Sequence, residues 1–188
     1  MKRLLKGVAA LGLMATFATT AAHAQVLKGS IGGGITIPTG STSDGLKTGW
    51  NGTAAIQYKP AGSPLGFQVD GMYQQLKATD AVKALDPTAD KSEIWSGTGN
   101  LVFWFPVAGE TKIRPYLLGG GGVYNIKAKP TTGTSVSSTK FGINVGAGFD
   151  FDIQDKIGIF VEGRFHNVFV TGSDAKFIPI SAGIRFGV

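Results

Sequence analysis

The sequence predicts an all-β fold: an eight-stranded antiparallel up-and-down barrel that crosses a membrane. Three observations lead there. Beyond the first residues, two-residue alternation of apolar and polar side chains recurs eight times, and no stretch keeps a clean helical period. Many of these stretches run 12 residues or more. That exceeds the ~5–6 usual in globular proteins and covers the ~9–11 that a tilted membrane-crossing strand needs. The connections alternate between long and short, as loops on one side and tight turns on the other require. Composition agrees. Gly is 29 of 188 residues, which disfavours helices, and charged residues are only 16%. Cys is 0, so disulfides, thiolate zinc sites, a cysteine nucleophile and a cysteine-linked lipid anchor are excluded.

The chain opens on an address. Met1-Lys2-Arg3-Leu4-Leu5-Lys6 is a basic start, residues 7–22 are apolar and alanine-rich, and Ala22-His23-Ala24 is a cleavage pattern before Gln25. Residues 1–24 therefore read as a secretory signal peptide and 25–188 as the barrel domain. A spanning helix is the competing reading, and Thr16, Thr19, Thr20, His23 and Gln25 dilute it. Removing the leader takes three basic residues and leaves 15 Lys+Arg against 12 Asp+Glu, a net +3. So small an excess does not point to nucleic acid.

The strands are expected over 27–38, 48–59, 66–77, 93–106, 112–127, 138–152, 156–169 and 176–188. The last is cleanest. Ile178, Ile180, Ala182, Ile184 and Phe186 share one face; Pro179, Ser181, Gly183 and Arg185 share the other. In strand seven, Ile157, Ile159, Val161 and Phe165 oppose Gly158, Glu162, Arg164 and His166. In strand six, Ile143, Val145 and Phe149 oppose Asn144, Gly146, Gly148 and Asp150. Strand four carries Leu101-Val102-Phe103-Trp104-Phe105, apolar on both faces. Segments 39–47, 78–92, 128–137 and 170–175 are the long loops; 60–65, 107–111 and 153–155 are the short turns.

Alternation alone leaves open which face is outside, because a soluble lipid-binding barrel has the reverse arrangement. Two features decide. The polar face carries few charges: Lys28, Lys59, Asp70, Asp150, Asp152, Glu162, Arg164 and Arg185. A water-facing surface would hold about 25–35% charged residues. The apolar face carries aromatics near both strand ends. Trp50, Tyr73, Trp95, Tyr124 and Phe141 fall near the loop ends. Tyr58, Phe67, Phe105, Tyr116, Phe151 and Phe186 fall near the turn ends. These eleven form two expected girdles at the membrane interfaces. Leu101, Leu118 and Val161 are expected to face lipid. Asn100 and the glycines Gly32, Gly34, Gly119, Gly121, Gly146 and Gly148 are expected to face inward.

Several segments resemble small eight-stranded outer-membrane beta-barrel proteins, the OmpA/OmpX-like family. They are Gly32-Gly33-Gly34-Ile35-Thr36-Ile37-Pro38-Thr39-Gly40, residues 115–124, residues 141–149 and the ending 177–186. The resemblance implies a monomer in a bacterial-type outer membrane, in contact with membrane lipid and lipopolysaccharide. It also implies recognition of the last strand by the barrel-assembly machinery. Such barrels usually finish on an aromatic; this chain ends Phe186-Gly187-Val188, so the signal is displaced.

Candidate chemistry is sparse. Gly40-Ser41-Thr42-Ser43-Asp44-Gly45-Leu46-Lys47-Thr48 nearly matches a phosphate-binding loop. Leu46 is one residue too many before Lys47, and strands flank the segment, so a solvated loop is the better reading. His166 is the sole histidine after the leader. Some barrels of the resembled family are lipid A deacylases with a His–Ser–Glu site. Arg164-Phe165-His166-Asn167-Val168-Phe169 has no serine close after the histidine, and no Glu follows Glu162. No enzyme activity, cofactor or metal is expected. Asp70, Asp150, Glu162, Arg164 and Arg185 are expected to form an ion-pair network that plugs the lumen, with Glu162 on Arg185 and Arg164 as the other possible partner. The expected role is non-catalytic, in envelope structure and in surface contacts through the loops. The alternatives are a narrow channel for small solutes and a soluble periplasmic barrel around an apolar ligand.

Overall fold

The computed structural model describes residues 26–187, apart from 108–111 and 155. The leader expected over 1–24 lies outside the described residues. Eight strands, all within them, close an antiparallel barrel: β1 (Val26–Thr39), β2 (Gly49–Lys59), β3 (Leu65–Lys77), β4 (Ala89–Trp104), β5 (Ile113–Pro130), β6 (Val136–Gln154), β7 (Ile157–Val168) and β8 (Ala175–Gly187). Each strand pairs with the next, and β8 closes on β1 from Lys28↔Gly187 to Thr39↔Lys176. Closure satisfies every backbone edge, which a lipid environment demands.

The strand ends differ from expectation mainly on one side. β4 starts at Ala89, β5 continues to Pro130 and β6 begins at Val136. The β3–β4 and β5–β6 loops are correspondingly shorter, because cross-strand pairing continues past the wall. Two short helices, α1 (Thr42–Gly45) and α2 (Asp80–Leu85), sit in the first two loops. α2 has its start signal in the sequence: the Thr79 side chain accepts from the Val82 N–H, Asp80 sits in the first turn and Lys83 in the last.

The apolar face is outside. Ile31, Val69, Leu101 and Val145 are each more than half exposed, while Asn100 is 4% exposed and faces the lumen. An apolar-inside barrel is thereby ruled out. β5 has the opposite phase to the expected one. Tyr116, Leu118 and Tyr124 point inward and are nearly fully buried. Gly119 and Gly121 lie on the outer face, and Gly120 and Gly122 take the inward positions. The cause is local: Leu117-Leu118-Gly119-Gly120-Gly121-Gly122-Val123 offers no contrast between its faces. Inward glycines make room for these rings. Gly148 lies opposite Tyr116, and a Cβ there would stand 2.5 Å from the ring; Gly142 lies diagonal to Tyr124, and a Cβ there would stand 2.8 Å from that ring.

Candidate functional site

The middle of the lumen is built on β3, β4 and β7. Alternation turns Gln68 and Asp70, Thr98 and Asn100, and Glu162 and Arg164 inward. Arg164 Nη1 donates to Asp70 Oδ1 at 2.8 Å, and its Nε donates to Glu162 Oε1 at 2.5 Å. Asp70 also accepts from Thr98 Oγ1 at 2.9 Å, Asn100 Nδ2 at 2.9 Å and Gln68 Nε2 at 3.0 Å. Gln57 continues the chain to Gln68. All three charged groups are at most 4% exposed. Removing them from water is costly, and the dense set of donors on Asp70 offsets that cost.

Nearer the turns, Arg185 of β8 pairs with Asp150 of β6, and Trp104 Nε1 donates to the same carboxylate at 3.3 Å. The Arg185 guanidinium also lies over the rings of Phe160 (5.0 Å) and Tyr116 (5.4 Å). Glu162 does not pair directly with Arg185. They meet through the Tyr116 hydroxyl, which donates to Glu162 Oε2 at 2.8 Å and lies 3.5 Å from Arg185 Nη2. All five charged residues expected in the lumen are thus in it, with Tyr116 as the link that the sequence did not reveal.

Two apolar clusters pack among these polar layers. Toward the long loops, Leu76, Ile94, Tyr124, Val168 and Phe177 pack together. Toward the turns, Val102, Trp104, Tyr116 and Leu118 do so. His166 is fully buried beside the first cluster. Its Nδ1 is 2.8 Å from the Tyr124 hydroxyl, and its ring stacks on Phe177 at 5.1 Å. Tyr116 and Tyr124 therefore belong to the interior and not to the girdles. Their hydroxyls find partners inside that a position facing lipid would not supply.

The other expected girdle residues lie on the outer face. Trp50, Tyr73 and Trp95 form one row, with ring centroids 5.1 and 4.7 Å apart. Phe141 stacks on Phe169 at 6.3 Å. At the turn end, Phe105 packs edge-on against Phe103, and Phe151 packs against Phe149. Tyr58, Phe67 and Phe186 complete this end, and the Phe186 ring covers Gly29. Phe103, Phe149 and Phe169 extend the girdles.

At the loops, Lys47 Nζ donates to both oxygens of Asp80 at 2.8 Å. It ties the first loop to the second and is not poised over a phosphate cradle. The Lys47 bond also holds the Asp80 carboxyl below the usual carboxylate range. No group of three or more metal-ligating side chains is gathered among the described residues.

An apolar outer wall, two aromatic rows and a packed polar interior are the features of an outer-membrane barrel. Residues 8–186 match the outer membrane protein beta-barrel domain family. The chain belongs to that family. Among solved structures it is similar to Neisserial surface protein A, at 16% identity and TM-score 0.64, covering 87% of this chain and 97% of that one. It is similarly close to a major outer membrane protein from Thermus thermophilus, at 10% identity and TM-score 0.64, covering 88% and 100%. The N-terminal β-barrel domain of Pseudomonas aeruginosa OprF has 13% identity and TM-score 0.50, covering 86% and 97%. At these identities the likeness shows the fold. No curated protein matches the sequence.

Proposed function

We propose that this outer-membrane barrel is non-catalytic and closed to solutes, and that it serves envelope structure and surface contacts through its loops. One observation carries the reading: a buried network of mutually paired charges fills the lumen below the apolar cluster of the loop side. A through-path for ions would have to open that cluster and separate charges that hold one another. His166 is sealed between Tyr124 and Phe177, which removes it from any lipid substrate outside the wall. In this reading residues 1–24 direct export, β8 carries the assembly signal and the barrel works as a monomer.

The outer face also supports contact with phosphorylated outer-leaflet lipid, lipopolysaccharide included. Lys77, Lys91 and Lys129 are successive cross-strand partners on β3, β4 and β5, and Lys127 lies opposite Glu93. They share the outward parity of Tyr73 and Trp95 and stand nearer the loops. Lys129 donates to Glu93 at 2.6 Å. Like charges directly opposite one another are destabilising, and lipid phosphates at this height would relieve them.

Conductance in planar bilayers tests the closed lumen. The purified protein is expected to give no steady current. Stable openings that scale with salt would establish a narrow channel instead.

A further inference from the structure

The turn end of the lumen contains an opening that the packed interior leaves free. It is a cavity of about 130 Å³ among β1, β2, β4, β5, β6 and the turn after β2. Lys28, Lys59 and Arg114 line it, together with Gln57, Trp104 and Asp150. Among the described residues its charges do not balance. Asp150 is already engaged by Arg185 and by the Trp104 indole. Asp152 serves both Arg114, whose Nη2 donates to Oδ1 at 2.5 Å, and Lys28, whose Nζ lies 3.8 Å from the same oxygen. Lys59 Nζ sits 5.3 Å from the centre of the Trp104 ring and has no carboxylate partner among the described residues. Arg114 Nε is buried and has no acceptor among them. Among the described residues, Lys28, Lys59 and Arg114 thus have only Asp152 as a carboxylate not already held by Arg185, and in so confined a cup their mutual repulsion is incompletely offset.

An anion entering the cup would offset that repulsion and take the unused donors. The donors converge from β1, β2 and β5. A tetrahedral oxyanion presents acceptors in several directions and can meet all of them; a single planar carboxylate meets fewer. The volume holds about four waters' worth of liquid, enough for one phosphate group with any substituent projecting through the mouth. The lining side chains point inward, so the closed wall separates them from lipid and the ligand must come from solution at the turn end.

We propose that the mouth formed by Lys28, Lys59 and Arg114 over Trp104 is a binding site for a soluble phosphate or phosphomonoester. The test uses the full barrel in phosphatidylcholine nanodiscs, which leave both ends open. Inorganic phosphate is titrated against chloride of equal ionic strength, with the Trp104 indole N–H resonance as readout. A saturable shift with phosphate alone is expected. Lys59→Gln and Arg114→Gln should each weaken binding about tenfold, the loss of one charge-assisted hydrogen bond. Lys83→Gln, in the loop helix α2 at the opposite end, should leave it unchanged. Retained heat-modifiable mobility on gels shows that a variant is folded, and Arg114→Lys is the substitute if Arg114→Gln is not. No saturable shift, or an equal one with chloride, overturns the proposal. So does equal affinity in folded variants of the mouth. A response only after phosphatidylglycerol replaces part of the phosphatidylcholine would assign the charge to lipid and also overturn it.

Discussion

β7 and β5 both send side chains into the lumen, but they fix their direction by different means. In β7 every second residue changes character: Ile157, Ile159, Val161 and Phe165 face lipid, and Glu162, Arg164 and His166 face inward. Reversing its phase would place two charges in lipid. In β5 the central residues are apolar or glycine on both faces. Its phase rests on partners elsewhere: Arg114 on Asp152, Tyr116 on Glu162 and Tyr124 on His166. A strand with polar contrast carries its own orientation, whereas a strand without it takes orientation from the polar tips it must satisfy.

The strongest way to break β7's side of this comparison is to remove its central cation. Arg164→Met leaves Asp70 and Glu162 buried without their shared partner. The expected loss is about 3–5 kcal/mol of folding stability, the cost of breaking a buried pair from one side. Urea unfolding in lipid vesicles measures it. A loss no larger than that of a surface charge would mean that water reaches the network.

β5's phase is tested by two adjacent leucines. Leu118 is 3% exposed in the turn-end cluster, whereas Leu117 is 47% exposed on the wall. Leu118→Ala is expected to cost about 2–5 kcal/mol, because it leaves a cavity that the packed interior cannot refill. Leu117→Ala should cost less, since lipid chains close over the smaller side chain. Unfolding midpoints in the opposite order would return β5 to the reversed phase.

A gentler change tests the link between the two strands. Tyr116→Phe keeps the ring over which Arg185 lies and deletes the donor to Glu162. The expected cost is about 1–3 kcal/mol, the penalty of leaving a buried acceptor short of a partner. In the Arg164→Met background the two losses should not add, because both act on Glu162. Additive losses in that double-mutant cycle would remove Tyr116 from the network.

The same contrast explains what is legible in the sequence. Strand number, closure, the outward apolar face and the placement of Asp70, Asp150, Glu162, Arg164 and Arg185 all follow from alternation. The pairing of Glu162 with Arg164 does not, because parity gives a side chain's face and not its reach. Tyr116 and Tyr124 escape it because an aromatic at a strand end suits a girdle and a plug equally well. One signal in β5 is available. The phase that sends Tyr116 to lipid sends Arg114 there too, and Asp150 and Asp152 on the inner face of the neighbouring strand β6 offer Arg114 a better site. That signal also brings Arg114 to the cationic mouth. The loop helices give only a weak signal, since α2 is six residues long and its start is one Thr79 cap.

The smallest effect is expected where an ion pair lies outside the wall. Lys47 and Asp80 join two loops in full contact with water, so the pair contributes little to barrel stability. It still leaves a signature in titration. The hydrogen bond from Lys47 lowers the Asp80 pKa in the folded protein. A lowered carboxylate pKa means that the pair's contribution is present above the unfolded-state value and is lost as pH falls through the folded-state value. Carbon NMR of the Asp80 carboxyl should therefore titrate below the ordinary aspartate range, and Lys47→Gln should bring it back. Unfolding of the barrel at neutral pH should be the same in both proteins. If Lys47→Gln shifted that transition as strongly as Tyr116→Phe, the loop latch would be part of the barrel's cooperative unit. The division between a wall-enclosed network and a solvated surface pair would then fail.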